Sequence, residues 1–412
     1  MKEIRKRFNI GKNKFSFKKR KKDNPTFSLL EVVVIALAFS VIASVVTGYV
    51  VNFVTKTNIL EDKELRDITD TYEMIMSEYY QEVSQSELAN AAIDGMMTYL
   101  DENYSIHMSG KDTEELEEKL KGNYDGIGVE IGKTLDKIII TRVFEGTPAD
   151  DVGIKAGDIL VDVEGTAVKE STTLEEVTSL IKGKNEVILT VLRDKEQKSF
   201  IVKTKNIEIP VVSTAIYEKN DKKIGYLYLE TFSDNADTQV KDALNELKKV
   251  KIDSLIIDVR GNTGGYLTVA TDIANMFLKK NKTIYSLESK NGKQVVVDTT
   301  NEHQTFPVVV LINEATASAS EILAAALKES YGAILVGTNS YGKGKVQQTS
   351  KLSDDTLIKY TSAKWFTPSG DSIDGVGLEP GISVALSKDY FTYLTDEYDD
   401  QLQKAIEILA ND

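Results

Sequence analysis

Residues 32–54 run for 23 positions without one charge, mostly Val, Ile, Ala and Leu. At about 1.5 Å per residue, such a run can cross the hydrocarbon core of a bilayer as a helix. It therefore divides the chain into a part before a membrane and a part after it. Residues 1–31 hold 11 Lys/Arg against 3 Asp/Glu, a balance of +8. Cations massed before an apolar span keep that end in the cytoplasm. The reading is a basic cytoplasmic tail at 1–31, a single-pass anchor at 32–54, and a body outside the cytoplasmic membrane. A cleaved signal peptide is the alternative, but the run exceeds a usual signal core and no clear small-x-small cleavage site comes after it.

The whole chain has 50 Lys/Arg and 64 Asp/Glu, so residues 32–412 hold 39 against 61, or −22. An acidic body does not suit a nucleic-acid partner. With no cysteine, disulfides, thiol catalysis and cysteine-based metal sites are excluded. The two histidines, His107 and His303, form no His-Glu-x-x-His pattern, and no metal or cofactor is expected. Any acid–base chemistry here must manage almost without imidazole.

At 412 residues the chain exceeds one core and predicts two or three folded units. Residues 56–115 show apolar positions at helical spacing, Leu60, Leu65, Ile68, Tyr72, Ile75 and Met76, then Leu88, Ala92, Met96 and Leu100, which predicts two helices. Between 116 and 204 the period shortens toward two, with Gly-containing turns and one helix near 173–181, the pattern of a small β-rich module. From 205 to 388 apolar strands at 224–229, 254–259, 308–312 and 333–336 alternate with helices at 236–250, 268–279 and 318–329. That alternation predicts an α/β core with βαβ layering. Residues 389–412 close with an amphipathic helix.

Three loops of this core could carry chemistry. Asn313-Glu314-Ala315-Thr316-Ala317-Ser318-Ala319-Ser320-Glu321 lies between an apolar strand and a helix, where free N–H groups favour developing negative charge. Either Ser318 or Ser320 could be exposed as a nucleophile there, and either could simply cap the helix. Gly342-Lys343-Gly344 comes after the strand at 333–336, and glycines on both sides let main chain crowd and dry the lysine. To serve as a base near pH 7 its pKa must fall by roughly three units from about 10.4, worth about 4 kcal/mol. Asp258-Val259-Arg260-Gly261-Asn262-Thr263-Gly264-Gly265 also joins strand to helix, and a glycine-rich loop in that place offers amides to an anion.

In this order and combination the three segments resemble the carboxyl-terminal processing peptidases, or tail-specific proteases. The resemblance spans about residues 100–409. It implies Ser318 as nucleophile, Lys343 as general base 25 residues later, and Gln347 as the residue that holds the lysine amine. It places the oxyanion donors at Ala319 and at Gly264 or Gly265, with the choice between the glycines open. It also identifies 116–204 as a PDZ domain, from Gly126-Ile127-Gly128-Val129, Thr147-Pro148-Ala149 and Gly153-Ile154-Lys155-Ala156-Gly157-Asp158. Such a domain adds a peptide as an extra strand and captures its terminal carboxylate on backbone amides. The expected capture loop is Tyr124, Gly126, Ile127, Gly128 and Val129.

The resemblance further implies C-terminal tails of proteins as substrates and a homodimer formed through the helices near 58–105 and the C-terminal helix. Two positions depart from the family pattern: Ile181-Lys182-Gly183 stands where Ile-Arg-Gly is frequent, and Pro380-Gly381-Ile382 where Pro-Asp-Ile is. Lysine lacks the planar fork of arginine, so a PDZ switch built on such a fork is not expected in the same form.

Overall fold

The strands Ser254–Asp258 and Val308–Ile312 bury every one of their residues. Strands apolar on both faces belong to a parallel sheet covered on both sides, and these two pair in parallel, Ile257 opposite Val310. The computed structural model describes residues 63–353 and 356–412, so the expected cytoplasmic tail and anchor lie outside the described residues. Among the described residues no helix is long and apolar enough to cross a membrane.

The two buried strands form the middle of a six-stranded sheet in the order Val212–Lys219, Lys222–Leu229, Ser254–Asp258, Val308–Ile312, Ile334–Gly337, Ile382–Ser383. The first pair is an antiparallel hairpin and the remaining pairings are parallel. Alternation along each strand divides the core in two. Leu255, Ile257, Val308, Val310 and Ile312 meet the helices Ala236–Lys249, Leu267–Asn275 and Ala319–Ala326 on one face. Ile256, Val309 and Leu311 meet Leu402, Ala405, Ile406 and Leu409 of the helix Asp400–Asn411 on the other. The segment 389–412, predicted as a separate helical region, thus supplies the second cover of the core sheet.

A second sheet has no counterpart in the sequence pattern. It runs Ile106–Ser109, Thr356–Phe366, Thr283–Ser289, Gly292–Val297, with Lys345–Ser353 also paired to Thr356–Phe366. Its strands, such as Lys-Val-Gln-Gln-Thr-Ser-Lys-Leu-Ser, carry too few apolar residues for a clear period. Ile106–Ser109, expected within the N-terminal helical region, is one of them.

The β-rich module has the strand order Val129–Thr134, Lys137–Val143, Ile159–Val163, Glu186–Arg193, Glu196–Lys203, with Thr166–Ala167 on the middle strand. Ile138, Ile140, Val187, Leu189 and Val191 lie in its core. Its helix Leu174–Ile181 starts where the sequence places it, because Thr173 Oγ1 accepts the Glu176 N–H and the Glu176 carboxylate accepts the Thr173 N–H. The strands Asn123–Gly126 and Lys205–Glu208 pair where the chain enters and leaves. Toward the N-terminus, the expected helices are Lys63–Glu78 and Gln85–Tyr99, and neither buries a residue.

Candidate active site

Asp258 stands opposite Leu311, and Ile312 opposite Gly337, so three neighbouring parallel strands end at one level. The three glycine- and serine-bearing loops come directly after them, which brings together segments that are far apart in sequence. The carboxyl ends of parallel strands are the usual place for ligand sites in such sheets.

Ser318 is the N-cap of the helix Ala319–Ala326 and has φ 58° and ψ −117°. A positive φ at a residue with a Cβ costs about 1–3 kcal/mol and needs surrounding restraint. The restraint is visible. The Ala317 N–H donates to Asn262 O (3.0 Å), Thr316 Oγ1 to Val259 O (2.9 Å), and Ser318 N–H to Glu321 Oε2 (2.8 Å). Ser320 is fully buried and its hydroxyl donates to Asn262 O at 2.9 Å. Of the two serines left open by the loop pattern, only Ser318 is partly accessible, on a sharp strand-to-helix turn of the nucleophile-elbow kind.

Glu321 is the residue that sequence reasoning missed. It is fully buried. Its Oε2 accepts from the N–H groups of Ser318 (2.8 Å) and Lys343 (2.9 Å), and its Oε1 from Gly342 N–H (2.7 Å) and the Ser340 hydroxyl (2.6 Å). Four donors satisfy a carboxylate that burial alone would expel. The same carboxylate ties the backbone of Ser318 to that of Lys343. The signal in the sequence was the Ser-x-x-Glu spacing of a capping box.

Lys343 is held from the other side too, since Trp365, itself buried, donates from Nε1 to Lys343 O (2.8 Å) and from N–H to Gly344 O (3.0 Å). The flanking glycines do what their pattern suggests. A Cβ on Gly344 would meet Asp374 Cβ at 2.6 Å, and one on Gly342 would meet Gly377 N at 2.7 Å. Burial lowers the Lys343 amine to about 8, helped by the charge of Lys359 and opposed by Glu321. Its Nζ lies 5.0 Å from the centre of the Tyr104 ring. Among the described residues the amine has no hydrogen bond, to Ser318 or to another group.

Gln347 sits on the strand Lys345–Ser353, opposite Thr361, and its Nε2 donates to Thr361 Oγ1 at 3.4 Å rather than reaching Lys343. Gly264 packs on the elbow itself: at φ 105°, a Cβ there would lie 3.0 Å from Ser318 Cβ and 3.1 Å from Ala319 N. Its N–H is already donated to Asn262 Oδ1 at 2.9 Å. The N–H groups of Gly265 and Ala319 have no acceptor among the described residues. Asn262, fully buried, also donates to Leu229 O at 2.8 Å, which locks the glycine loop to the sheet.

In the β-rich module the segment expected to form a capture loop is divided between two strands and a short turn. Tyr124 and Gly126 belong to the strand paired with Lys205–Glu208, Val129 begins the edge strand Val129–Thr134, and only Ile127 and Gly128 turn between them. The pattern Gly-x-Gly reads as a turn wherever its flanking strands begin, so the sequence alone overstates the loop. The Tyr124 hydroxyl reaches Val129 O at 3.4 Å. Edge strand and helix Leu174–Ile181 pack together, the arrangement into which a peptide strand adds. Lys182, at one of the departures from the family pattern, pairs with Glu118 at 2.7 Å.

Three family models match the chain. Residues 223–384 match the model of peptidase family S41, 125–204 that of the PDZ domain, and 47–113 that of the N-terminal domain of the activating protease CtpB. A CtpA-like serine protease of Staphylococcus aureus (strain bovine RF122 / ET3-1) is 33% identical over 365 residues, covering 87% of this chain and 72% of the relative. Its counterpart in Staphylococcus haemolyticus is 33% identical over 362 residues, covering 87% and 71%. An S41 protease structure from Bacteroides fragilis shares the fold with a TM-score of 0.51 and 18% identity, over 81% of this chain and 91% of that one.

Proposed function

Since this chain belongs to peptidase family S41, as a serine protease of the carboxyl-terminal processing type with a PDZ domain, we propose that Ser318 is its nucleophile and Lys343 its general base. The observation that carries this reading is the Glu321 carboxylate, which holds the main chain of both residues at 2.8 and 2.9 Å. A serine needs a base, and an amine brought down to about 8 is largely neutral in mildly alkaline solution.

When a peptide is bound, the Lys343 amine, lying against the Tyr104 ring, takes the proton of Ser318 Oγ. Oγ attacks the scissile carbonyl carbon, and the electron pair of the C=O bond moves to oxygen. The N–H groups of Gly265 and Ala319 receive that oxyanion, because Gly264 has committed its own to Asn262. Lys343 then gives its proton to the leaving amine nitrogen. Water, deprotonated by the same amine, hydrolyses the acyl-enzyme. Gln347, on the strand that continues from the Lys343 loop and held there by Thr361, is the residue that keeps the amine in place during the reaction.

The substrates are proteins presented by their C-terminal tails, added to the edge strand Val129–Thr134 with the carboxylate at Ile127–Gly128, and cut at or near the tail. The apolar run 32–54 behind its basic tail supports single-pass anchorage, N-terminus inside and catalytic body outside the cytoplasm.

The test is cleavage of a protein carrying a disordered C-terminal tail. Ser318→Ala should abolish product while tail binding to the PDZ domain persists. Lys343→Ala should lose activity at least 100-fold at pH 8, in the range of roughly 10²–10⁴ that positioned proton transfer contributes. Undiminished hydrolysis by Ser318→Ala sinks the assignment.

A further inference from the structure

Residues 102–105 precede the β-rich module in sequence yet touch the lysine half of the site. The Glu102 carboxylate accepts from the Thr361 hydroxyl through Oε1 and from the Ser105 hydroxyl through Oε2 at 3.3 Å. Ser105 Oγ in turn accepts the Thr361 N–H at 3.1 Å. Thr361 is the cross-strand partner of Gln347 and the residue to which the Gln347 amide donates. Between Glu102 and Ser105, the Tyr104 ring faces two amines, Lys343 at 5.0 Å and Lys345 at 5.6 Å, and Lys345 also pairs with Glu102 Oε1 at 3.6 Å. The Tyr341 hydroxyl beside it, together with burial, pushes Tyr104 up to about 12, so its ring stays neutral wherever the enzyme works.

We propose that Glu102 and Tyr104 are positioning residues of the reaction: Tyr104 is the wall that keeps water from the Lys343 amine, and Glu102, through Thr361, sets where Gln347 stands. This rests on the assignment of Lys343 as base made above. A ring face attracts an ammonium, which favours the protonated amine, whereas a ring that excludes water disfavours it. Lys343 is held low with burial as the main cause, so exclusion of water outweighs attraction to the ring. The charged and titratable groups around it are Glu321 from the nucleophile helix, Lys359 from the strand Thr356–Phe366, Lys345 beyond its own loop, Glu102 and Tyr104 from the 102–105 segment, and Tyr341 and Asp374 next to Tyr104.

The experiment measures kcat and KM of the full chain on a tailed protein substrate across pH. Tyr104→Phe, which keeps the ring, should leave the rising limb of kcat where the wild type has it. Tyr104→Ala lets water reach the amine and should move that limb up by about one pH unit, a tenfold fall in free base on its acid side. If Tyr104→Ala does not fold, Tyr104→Asn, hydrated but nearer in size, reads the same shift. Glu102→Ala should lower kcat by roughly 10- to 100-fold with KM little changed, as displaced catalytic groups do, and Glu102→Gln, which keeps an acceptor for Thr361, should recover most of it. An unmoved or downward limb in Tyr104→Ala, or an unchanged kcat in Glu102→Ala, overturns the proposal. A limb that persists unaltered in Lys343→Ala defeats the base assignment itself, which separates the two failures.

Discussion

Glu321 and Lys343 are both charged residues in places that punish charge, and they are kept by opposite means. Glu321 is saturated by four donors, so replacing it with Ala leaves four buried groups without an acceptor. We expect Glu321→Ala to cost roughly 3 kcal/mol or more in urea unfolding, and to abolish activity where it still folds. Among the described residues Lys343 has no such partners, and burial, helped by the charge of Lys359, favours its neutral form. Its folded-state value of about 8 lies below its ordinary 10.5, so the unfolded chain binds more protons between those values and stability rises with pH across that window. Below pH 8 the native state carries the full penalty of a half-buried ammonium. Lys343→Met should therefore raise the melting temperature at pH 7, and the gain should fade as pH climbs from 8 to 10.5; a gain independent of pH would contradict the burial argument. Ser318, Lys343 and the two glycines beside Lys343 were legible as residues in the sequence. The role of Glu321 was not, because a capping glutamate and a glutamate that joins two loops have the same spacing.

At the scale of elements, the strand-to-helix turns carry the site. Gly264 and Gly265 are adjacent but serve different purposes: one lies against the nucleophile elbow, and the other lets Phe232 O approach so closely that any Cβ would overlap it. Gly264→Ala, strained at φ 105° and pressed on Ser318 Cβ at 3.0 Å, should fold yet lower kcat by roughly 100-fold, the loss seen when an oxyanion donor is displaced. Gly265→Ala should be detected earlier, as loss of soluble folded chain. The helices and core strands were readable from apolar period alone, as in Ala236, Val240, Leu244 and Leu247 on one stripe. The hairpin of Lys345–Ser353 and Thr356–Phe366 was not, although it carries Gln347 and covers Lys343 through Trp365. Its residues are chosen for partners across the sheet, and such pairing leaves no local period.

For the whole molecule, the C-terminal helix is joined to the loop that carries Gly264 and Gly265 by one partly buried arginine. Arg260 grips Asp258 from Nε and Nη2 at 2.6–3.0 Å and Asp399 from Nη1 and Nη2 at 2.8–2.9 Å, and reaches Gln401 at 2.9 Å. Burial works against its charge, but the hydrogen bonds and charges of Asp258 and Asp399 outweigh that and raise its pKa further, so it is always charged. Removing one partner of such a buried pair typically costs about 3–5 kcal/mol. Asp399→Ala should accordingly lower the denaturation midpoint sharply and weaken catalysis at Ser318, and an unaffected midpoint would mean the helix docks by its apolar stripe alone. The sequence by itself determined the chemistry that was possible: without cysteine and almost without histidine, with a serine before a helix and a lysine between glycines, it narrowed base and nucleophile to a short set. Only the tertiary structure decided how these come together. Loops separated by 25 to 79 residues meet because parallel strands end at one level; packing then buries Ser320 against Asn262 O while Ser318 stays partly accessible, and Asn262 takes the N–H of Gly264 but, among the described residues, not that of Gly265. Those choices depend on which hydrogen bonds are already taken, and that is a property of packing, which no local pattern records.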